Sequence, residues 1–176
     1  MYRDNTLIPT EAIRLAALGS LTEGDRQYAT LASEIRNFVG LISGPSLDLL
    51  GTSLEVLGYE GLAEIKDNKD PNLTILRITE AGKKQFVALM TSGFRVPIND
   101  VGKLVIALKM RFLYLLDDEE RIEQIELLRE ICEGEVSRLR SLLKQSPNPD
   151  FSEWLKFEIR QLGVRIDWLK GISKIL

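Results

Sequence analysis

The chain changes its pattern near residue 91, and this change limits the folds open to it more than any other feature of the sequence. Up to the segment TSGFRVP (residues 91–97), the apolar segments are short and are separated by turn residues, as in LTEGD, GLISGPS and KDNKDPN. After it come three long segments whose apolar residues recur at helical spacing. The pattern predicts a mixed domain over residues 1–91 and a helical domain over residues 92–176.

The mixed domain begins with two predicted helices. We expect Thr10 to cap the first helix, which buries residues at helical spacing, namely Ile13, Ala17, Leu18 and Leu21. The second helix covers YATLASEIRNF, with Leu31, Ile35 and Phe38 on its inner side. Gly40 is expected to end it, since glycine is the favoured residue after a helix.

A third helix and a hairpin are predicted next. Pro45 and Ser46 together favour a helix start, and the inner stripe of this third helix consists of Leu47, Leu50, Leu54 and Leu57. Two extended segments, LAEIK and LTILRI, are joined by the turn residues DNKDPN and predict a β-hairpin. Thr79 is then expected to cap a fourth helix. Three helices, a hairpin and a closing helix make a winged helix.

Four segments resemble the PadR-like transcriptional regulators, in particular the AphA-like members with a long helical C-terminal domain. They are LAALGSL in the first helix, LEVLGYEGLAEI at the end of the third helix, LRITEAGKKQF after the wing, and the C-terminal EIRQLGVRIDWLKGISKIL. The resemblance implies a dimeric DNA-binding regulator. In that family the third helix and the wing meet the DNA and the C-terminal helices pair the subunits, so a palindromic operator is expected.

The outward face of the third helix carries no cation. With the leucine stripe turned inward, this face presents Asp48, Thr52, Glu55, Val56 and Tyr59. Thr and Val can touch a thymine methyl group, and Asp or Glu can accept a hydrogen bond from cytosine N4. We therefore predict that these five residues contact DNA bases.

The cations that hold the DNA backbone are expected around this helix. They are Arg36 in the second helix, Lys66 and Lys69 in the wing, and Lys83 and Lys84 in the fourth helix. Arg77 lies nearby in the second strand. Residues 1–90 nevertheless contain nine Lys and Arg against twelve Asp and Glu. This acidic balance leaves an alternative open, a winged-helix protein-interaction or dimerisation module whose DNA binding is weak or lost.

The helical domain is predicted to form the dimer. It contains one helix from about Asn99 to Leu116 and a second from Asp118 to about Gln145, followed by a last helix with a coiled-coil seam. The predicted interface consists of that seam and one aromatic residue, namely Leu155, Ile159, Leu162, Ile166, Leu169 and Trp168. The predicted fold class is therefore mainly α, a winged helix-turn-helix domain followed by an antiparallel helical dimerisation domain. A monomeric helical bundle is the alternative.

Composition argues against catalysis and metal binding. The chain has no histidine, which removes the commonest general base and metal ligand, and its one cysteine, Cys132, is expected to be a small buried hydrophobe. No cofactor is expected. We see neither a signal-peptide pattern nor a membrane span and expect a cytoplasmic protein.

The sequence also offers a candidate site for an aromatic effector. Phe112, Tyr114, Trp154 and Trp168 can line a pocket for a small aromatic molecule. Aromatic residues at helical spacing are, however, more often part of a core. Both interpretations stay open from the sequence.

Overall fold

The computed structural model describes residues 7–44, 50–66, 74–94, 96, 98–146 and 148–173. By packing, the chain divides into two compact units, residues 1–116 and 117–176. Residues 98–116 thus pack with the first unit. The predicted boundary after residue 91 divides the chain by function and stays a prediction.

Helix α1 (Pro9–Thr22) begins earlier than predicted. Its N-cap is Ile8, whose backbone N–H donates to the Glu11 carboxylate at 2.9 Å. Pro9 suits the first turn because its missing N–H would have no partner there. Thr10 therefore lies inside the helix, and the prediction that it caps α1 is wrong. The apolar side predicted for α1 is buried.

Helix α2 (Tyr28–Ser43) runs further than predicted. Leu31, Ile35 and Val39 are its buried residues, whereas Phe38, predicted for the inner side, is half-buried. Gly40 lies inside the helix, and Gly44 ends it with φ +80°. A single glycine in an exposed helical turn costs only about 1 kcal/mol relative to alanine, so Gly40 does not stop the helix.

Helix α3 (Leu50–Tyr59) buries Leu54 and Leu57 completely, as predicted. The predicted start at Pro45 and Ser46, together with Leu47 and Asp48, lies outside the described residues. So do the side chains of residues 50–53, including those of Leu50 and Thr52.

The sheet contains one strand more than the predicted hairpin. The described residues form strands β1 (Arg26–Gln27), β2 (Ala63–Lys66) and β3 (Ile75–Ile78), antiparallel in the order β1-β3-β2. Ala63 pairs with Ile78 and Lys66 with Ile75, which makes β2 and β3 the predicted wing. The sequence missed β1 because two polar residues have no alternation of apolar and polar positions to detect.

Helix α4 (Glu80–Met90) starts as predicted. The Thr79 hydroxyl accepts a hydrogen bond from the Gly82 N–H at 3.0 Å and donates one to the Gly61 carbonyl at 2.7 Å. The Leu62 carbonyl lies so close to Gly82 that a Cβ there would stand 2.1 Å from its oxygen. These contacts attach the start of α4 to the turn between α3 and β2.

Helix α5 (Asp100–Phe112) closes the first unit. Asn99 caps it through a hydrogen bond from the Gly102 N–H at 2.9 Å, and one 3-10 turn (Leu113–Leu115) follows it. The helix packs on α1 and α2. Phe112 is fully buried, with its ring edge-on to Phe86 at 6.2 Å between centroids. Phe112 is therefore a core residue.

A lysine is buried on α5. Lys109 has no exposed surface, and its ammonium group donates to the Ser92 carbonyl and lies 4.3 Å from the centre of the Phe94 ring. Burial lowers the pKa of Lys109 to about 7. An ionisable group thus sits inside the core where α4 leads into α5.

The second unit is a hairpin of two helices, α6 (Asp118–Gln145) and α7 (Pro149–Ser173). Asp117 caps α6 by accepting from the Glu120 N–H at 2.8 Å. The core of the second unit consists of one apolar stripe from each helix. These stripes include Ile125, Leu128, Cys132 and Val136 from α6 and Leu155, Ile166 and Leu169 from α7. Cys132 is buried as predicted. The fold is mainly α with a winged-helix first unit, which confirms the predicted class.

Candidate nucleic-acid interface

A groove separates the exposed face of α3 from strand β2. It has a volume of about 780 Å³ and is lined by Glu55, Gly58, Tyr59, Gly61, Ala63, Glu64, Ile65, Lys66 and Thr79. We call this the α3–β2 groove. Three of the residues predicted to contact DNA line it together, namely Glu55, Tyr59 and Lys66.

Close packing sets the width of this groove. A Cβ on Gly58 would stand 2.3 Å from Cδ1 of Ile65, so the absence of a side chain at Gly58 lets the wing strand approach α3. Directly after α3, Glu60 forms an ion pair with Arg14 of α1 at 2.8 Å. Sequence reasoning did not find Ile65, Glu64 or the Arg14–Glu60 pair. The glycine at position 58 inside a helix was the one available signal of a close approach.

The outward face of α3 is acidic and aromatic. Glu55 is exposed, Tyr59 is 90% exposed, and Val56 is half-buried. Burial and the charge of Glu55 raise the pKa of Tyr28, at the start of α2, so Glu55 lies within electrostatic reach of that helix end. No described residue forms an ion pair with Glu55.

Two of the cations near the groove are already neutralised. Arg77 makes a bidentate contact with the Asp25 carboxylate, at 2.6 Å for the shortest pair, and this guanidinium lowers the pKa of Asp25. Lys83 forms an ion pair with Glu80 at 2.7 Å. A phosphate that approaches either cation must compete with the paired carboxylate for its positive charge.

Three predicted cations carry no such partner. Arg36 on α2, Lys66 on β2 and Lys84 on α4 are exposed, and none of the described residues forms an ion pair with them. Lys66 lines the groove, and Lys84 follows the cap residue Thr79 by little more than one turn. Lys69 lies outside the described residues.

A family model described as "Putative AphA-like transcriptional regulator" matches residues 2–173. The chain belongs to this family. The match covers almost the whole chain and confirms the AphA-like resemblance expected from the sequence. The AphA-like family is a class of transcriptional regulators, and the absence of enzyme activity in this member stays a prediction.

Solved structures similar to this AphA-like chain include two of PadR from Bacillus subtilis. One is in complex with operator DNA, at 17% identity, covering 93% of this chain and 97% of that chain, with a TM-score of 0.40. The other is in complex with p-coumaric acid and is 18% identical; the match covers 97% of this chain and 98% of that chain, with a TM-score of 0.42. The smu.1604c protein of Streptococcus mutans is 19% identical, covering 90% and 96%, with a TM-score of 0.38. No curated protein matches the chain.

The coiled-coil seam predicted for the dimer is largely used inside this AphA-like chain. Leu155, Ile166 and Leu169 are buried, and Ile159 and Leu162 are half-buried, because α7 turns this stripe toward α6. The role of these five residues in a dimer stays a prediction.

A second apolar stripe on α7 remains exposed. Trp154, Phe157, Val164 and Trp168 are 50%, 46%, 69% and 54% exposed. Together with Gln161 they follow alternating steps of three and four residues, the spacing of a coiled-coil seam. We call these four apolar residues the outer α7 stripe. It contains Trp168, the one aromatic residue predicted for the dimer interface.

The predicted aromatic effector residues have different surroundings. Phe112 is in the core of the first unit, whereas Tyr114 is exposed and its hydroxyl donates to Glu23 at 2.6 Å. That hydrogen bond is the main cause of a raised pKa of Tyr114. Trp154 and Trp168 are exposed on the second unit. An effector stays a prediction.

No helix in the described part of this AphA-like chain is long and apolar enough to cross a membrane. Within the same residues, no group of three His, Cys, Asp or Glu side chains is arranged to hold a metal ion.

Proposed function

We propose that this chain is a dimeric, DNA-binding transcriptional regulator in which the α3–β2 groove meets the DNA. The observation that carries the proposal is the common groove of α3 and the wing strand in a member of a transcriptional-regulator family. A helix and a wing side by side can follow the major groove and the adjacent backbone. A dimer would read two half-sites of a palindromic operator.

The exposed cations support salt-dependent binding of the DNA phosphates. Arg36, Lys66 and Lys84 give three contacts per subunit and six per dimer. At about 0.9 per neutralised phosphate, the slope of log K against log salt would be about −5. Adding Lys69 and the paired Lys83 would steepen the slope to about −9.

The outer α7 stripe supports dimerisation. Apolar patches of this kind on otherwise polar surfaces commonly mark an interface. The heptad spacing of the stripe suits a second α7 of identical sequence, because the same stripe on both helices is self-complementary about a two-fold axis. The proposed occupant is therefore a second copy of the chain.

The DNA-binding proposal can be tested by fluorescence anisotropy. The probes are a duplex from the region upstream of the protein's own gene and a scrambled duplex, in about 50 and 200 mM salt. The double variant Lys66→Glu and Lys84→Glu should weaken binding to both duplexes and reduce the salt slope by about 3 to 4. Both side chains are exposed, so the fold should persist.

A matched control carries the same charge change elsewhere. Lys103→Glu with Lys156→Glu reverses two exposed lysines that already pair with carboxylates, on α5 and α7. It should bind like the wild type. An equal loss of DNA affinity in both double variants would mean that overall charge determines binding, and would contradict the proposal that the α3–β2 groove meets the DNA.

The oligomeric state is tested by sedimentation. The wild type should have twice the 19.9 kDa mass of one chain. Val164→Glu with Trp168→Glu should give the mass of one chain with unchanged far-UV circular dichroism. Lys156→Glu makes the same total charge change at an exposed residue of α7 that is not three or four residues from any member of the outer α7 stripe, and it should stay dimeric. A single-chain mass for the wild type at micromolar concentration would favour the monomeric bundle.

The second candidate function is a winged-helix protein-interaction module. The observation in its favour is the charge of the α3–β2 groove, where Glu55 and Glu64 face one lysine, while Arg77 and Lys83 are neutralised nearby. Failure of the wild type to bind either duplex at low salt would select this candidate, because even a few exposed cations hold DNA under those conditions.

A further inference from the structure

We infer that Glu55 is the specificity-determining residue of the groove and that it selects cytosine. The inference rests on the proposed function and names what the acidic face of α3 reads. Recognition helices commonly use Arg or Lys to read guanine. The described part of α3 offers an exposed carboxylate instead.

The surroundings of Glu55 leave its carboxylate free to meet a base. Its neighbours Leu54 and Leu57 are fully buried and fix the rotation of α3, so Glu55 points away from the core. It is exposed, and no described residue pairs with it. It also lines the α3–β2 groove with Lys66, whose positive charge offsets part of the repulsion between a carboxylate and the DNA backbone.

The chemistry of the bases then narrows the choice. An ionised carboxylate can only accept hydrogen bonds. In the major groove, guanine presents two acceptors and thymine an acceptor and a methyl group, so neither base edge can donate to Glu55. Adenine does present its N6 amino group, but the N7 acceptor beside it would repel the carboxylate. Cytosine offers the N4 amino group without an adjacent acceptor on the same base.

The inference predicts how the preferred site changes when the carboxylate becomes an amide. Each protein would be used to select binding sites from a pool of random duplexes. The wild type should enrich one cytosine per half-site, preferred roughly tenfold over other bases. Glu55→Gln should prefer adenine at that position, because an amide can bond N6 and N7 together, and should leave the rest of the site unchanged.

Glu64→Gln is the matched control. It removes the same charge from an exposed residue of the same groove, on β2 instead of α3. If Glu55 acts by reading a base, the Glu64→Gln variant should select the same DNA sequence as the wild type. If both variants shift the preferred base in the same way, the effect comes from charge and the inference is overturned.

The remaining outcomes separate the inference from the function on which it rests. A wild-type site without a preferred cytosine, or an identical site for the wild type and Glu55→Gln, overturns the role of Glu55 while DNA binding stands. No enrichment and no binding by the wild type would remove the proposed DNA-binding function, and the role of Glu55 with it.

Discussion

Lys109 makes the stability of the first unit depend on pH. Its ammonium group is fully buried beside Ser92 and Phe94, and burial lowers its pKa from 10.5 to about 7. In the unfolded chain the same lysine keeps its ordinary value. Folding therefore requires burial of a charged group below about pH 7 and release of its proton between about pH 7 and 10.5, and both cost free energy.

The sign of the effect follows from the two pKa values. Between about 7 and 10.5 the unfolded state binds more protons than the folded state, so the free energy of unfolding rises with pH. Below about 7 both states hold the proton and the full penalty remains. Between about pH 7 and pH 9 the gain is about 2 kcal/mol, since each unit of pKa difference is worth about 1.4 kcal/mol.

The variant Lys109→Met removes this titration while keeping a long, flexible side chain. We expect its free energy of unfolding to exceed that of the wild type by more at about pH 7 than at about pH 9, with the difference shrinking by about 2 kcal/mol. The lost hydrogen bond to the Ser92 carbonyl costs about 1 to 3 kcal/mol at every pH, so it does not alter this trend.

Urea unfolding followed by circular dichroism measures the free energy of unfolding of each variant at each pH. Lys103→Met is the control, since Lys103 is an exposed lysine of the same helix, paired with Asp100. Its difference from the wild type should stay constant with pH. A constant difference for Lys109→Met, within about 0.5 kcal/mol, would refute the desolvation argument.

Two further predictions concern the close contact at the start of α4 and the charge of Arg77. Gly82→Ala should destabilise the first unit by about 2 to 3 kcal/mol, because the new Cβ would stand 2.1 Å from the Leu62 carbonyl oxygen. Gly40→Ala is the control: a Cβ there has open space around it, so the variant should be more stable than the wild type by about 0.5 to 1 kcal/mol. Urea unfolding measures both changes in the free energy of unfolding, and a change of the same sign in the two variants would contradict the close contact at Gly82. Asp25→Asn should release Arg77 and strengthen binding to a duplex in anisotropy by a few-fold, most at low salt. Weaker binding would mean that Arg77 needs Asp25 to stay in place.

Local sequence signals predicted most of the helices. Thr79 was identified as a cap, and α6 begins at Asp118 and ends at Gln145 as expected, because caps and apolar spacing act within a few residues. One error arose where two local signals competed, since α1 begins at Pro9 and Thr10 lies inside the helix.

The candidate site was less predictable because its geometry depends on distant partners. The exposure of Glu55 and Tyr59 followed from the leucine stripe, which is local. The bidentate contact between Arg77 and Asp25 joins residues 52 positions apart, and no pattern in either segment indicates it. Sequence reasoning therefore counted Arg77 among the cations near the DNA without its partner.

The position of the wing against α3 depends on packing and not on the charges that would meet DNA. Gly58 admits Ile65 at one side of the groove, and Gly82 admits the Leu62 carbonyl where α4 begins. Both contacts lack charged groups, so they persist when exposed carboxylates or lysines are exchanged. Loss of binding in Lys66→Glu or a changed base preference in Glu55→Gln can therefore be attributed to the altered group, since the groove that presents it keeps its shape.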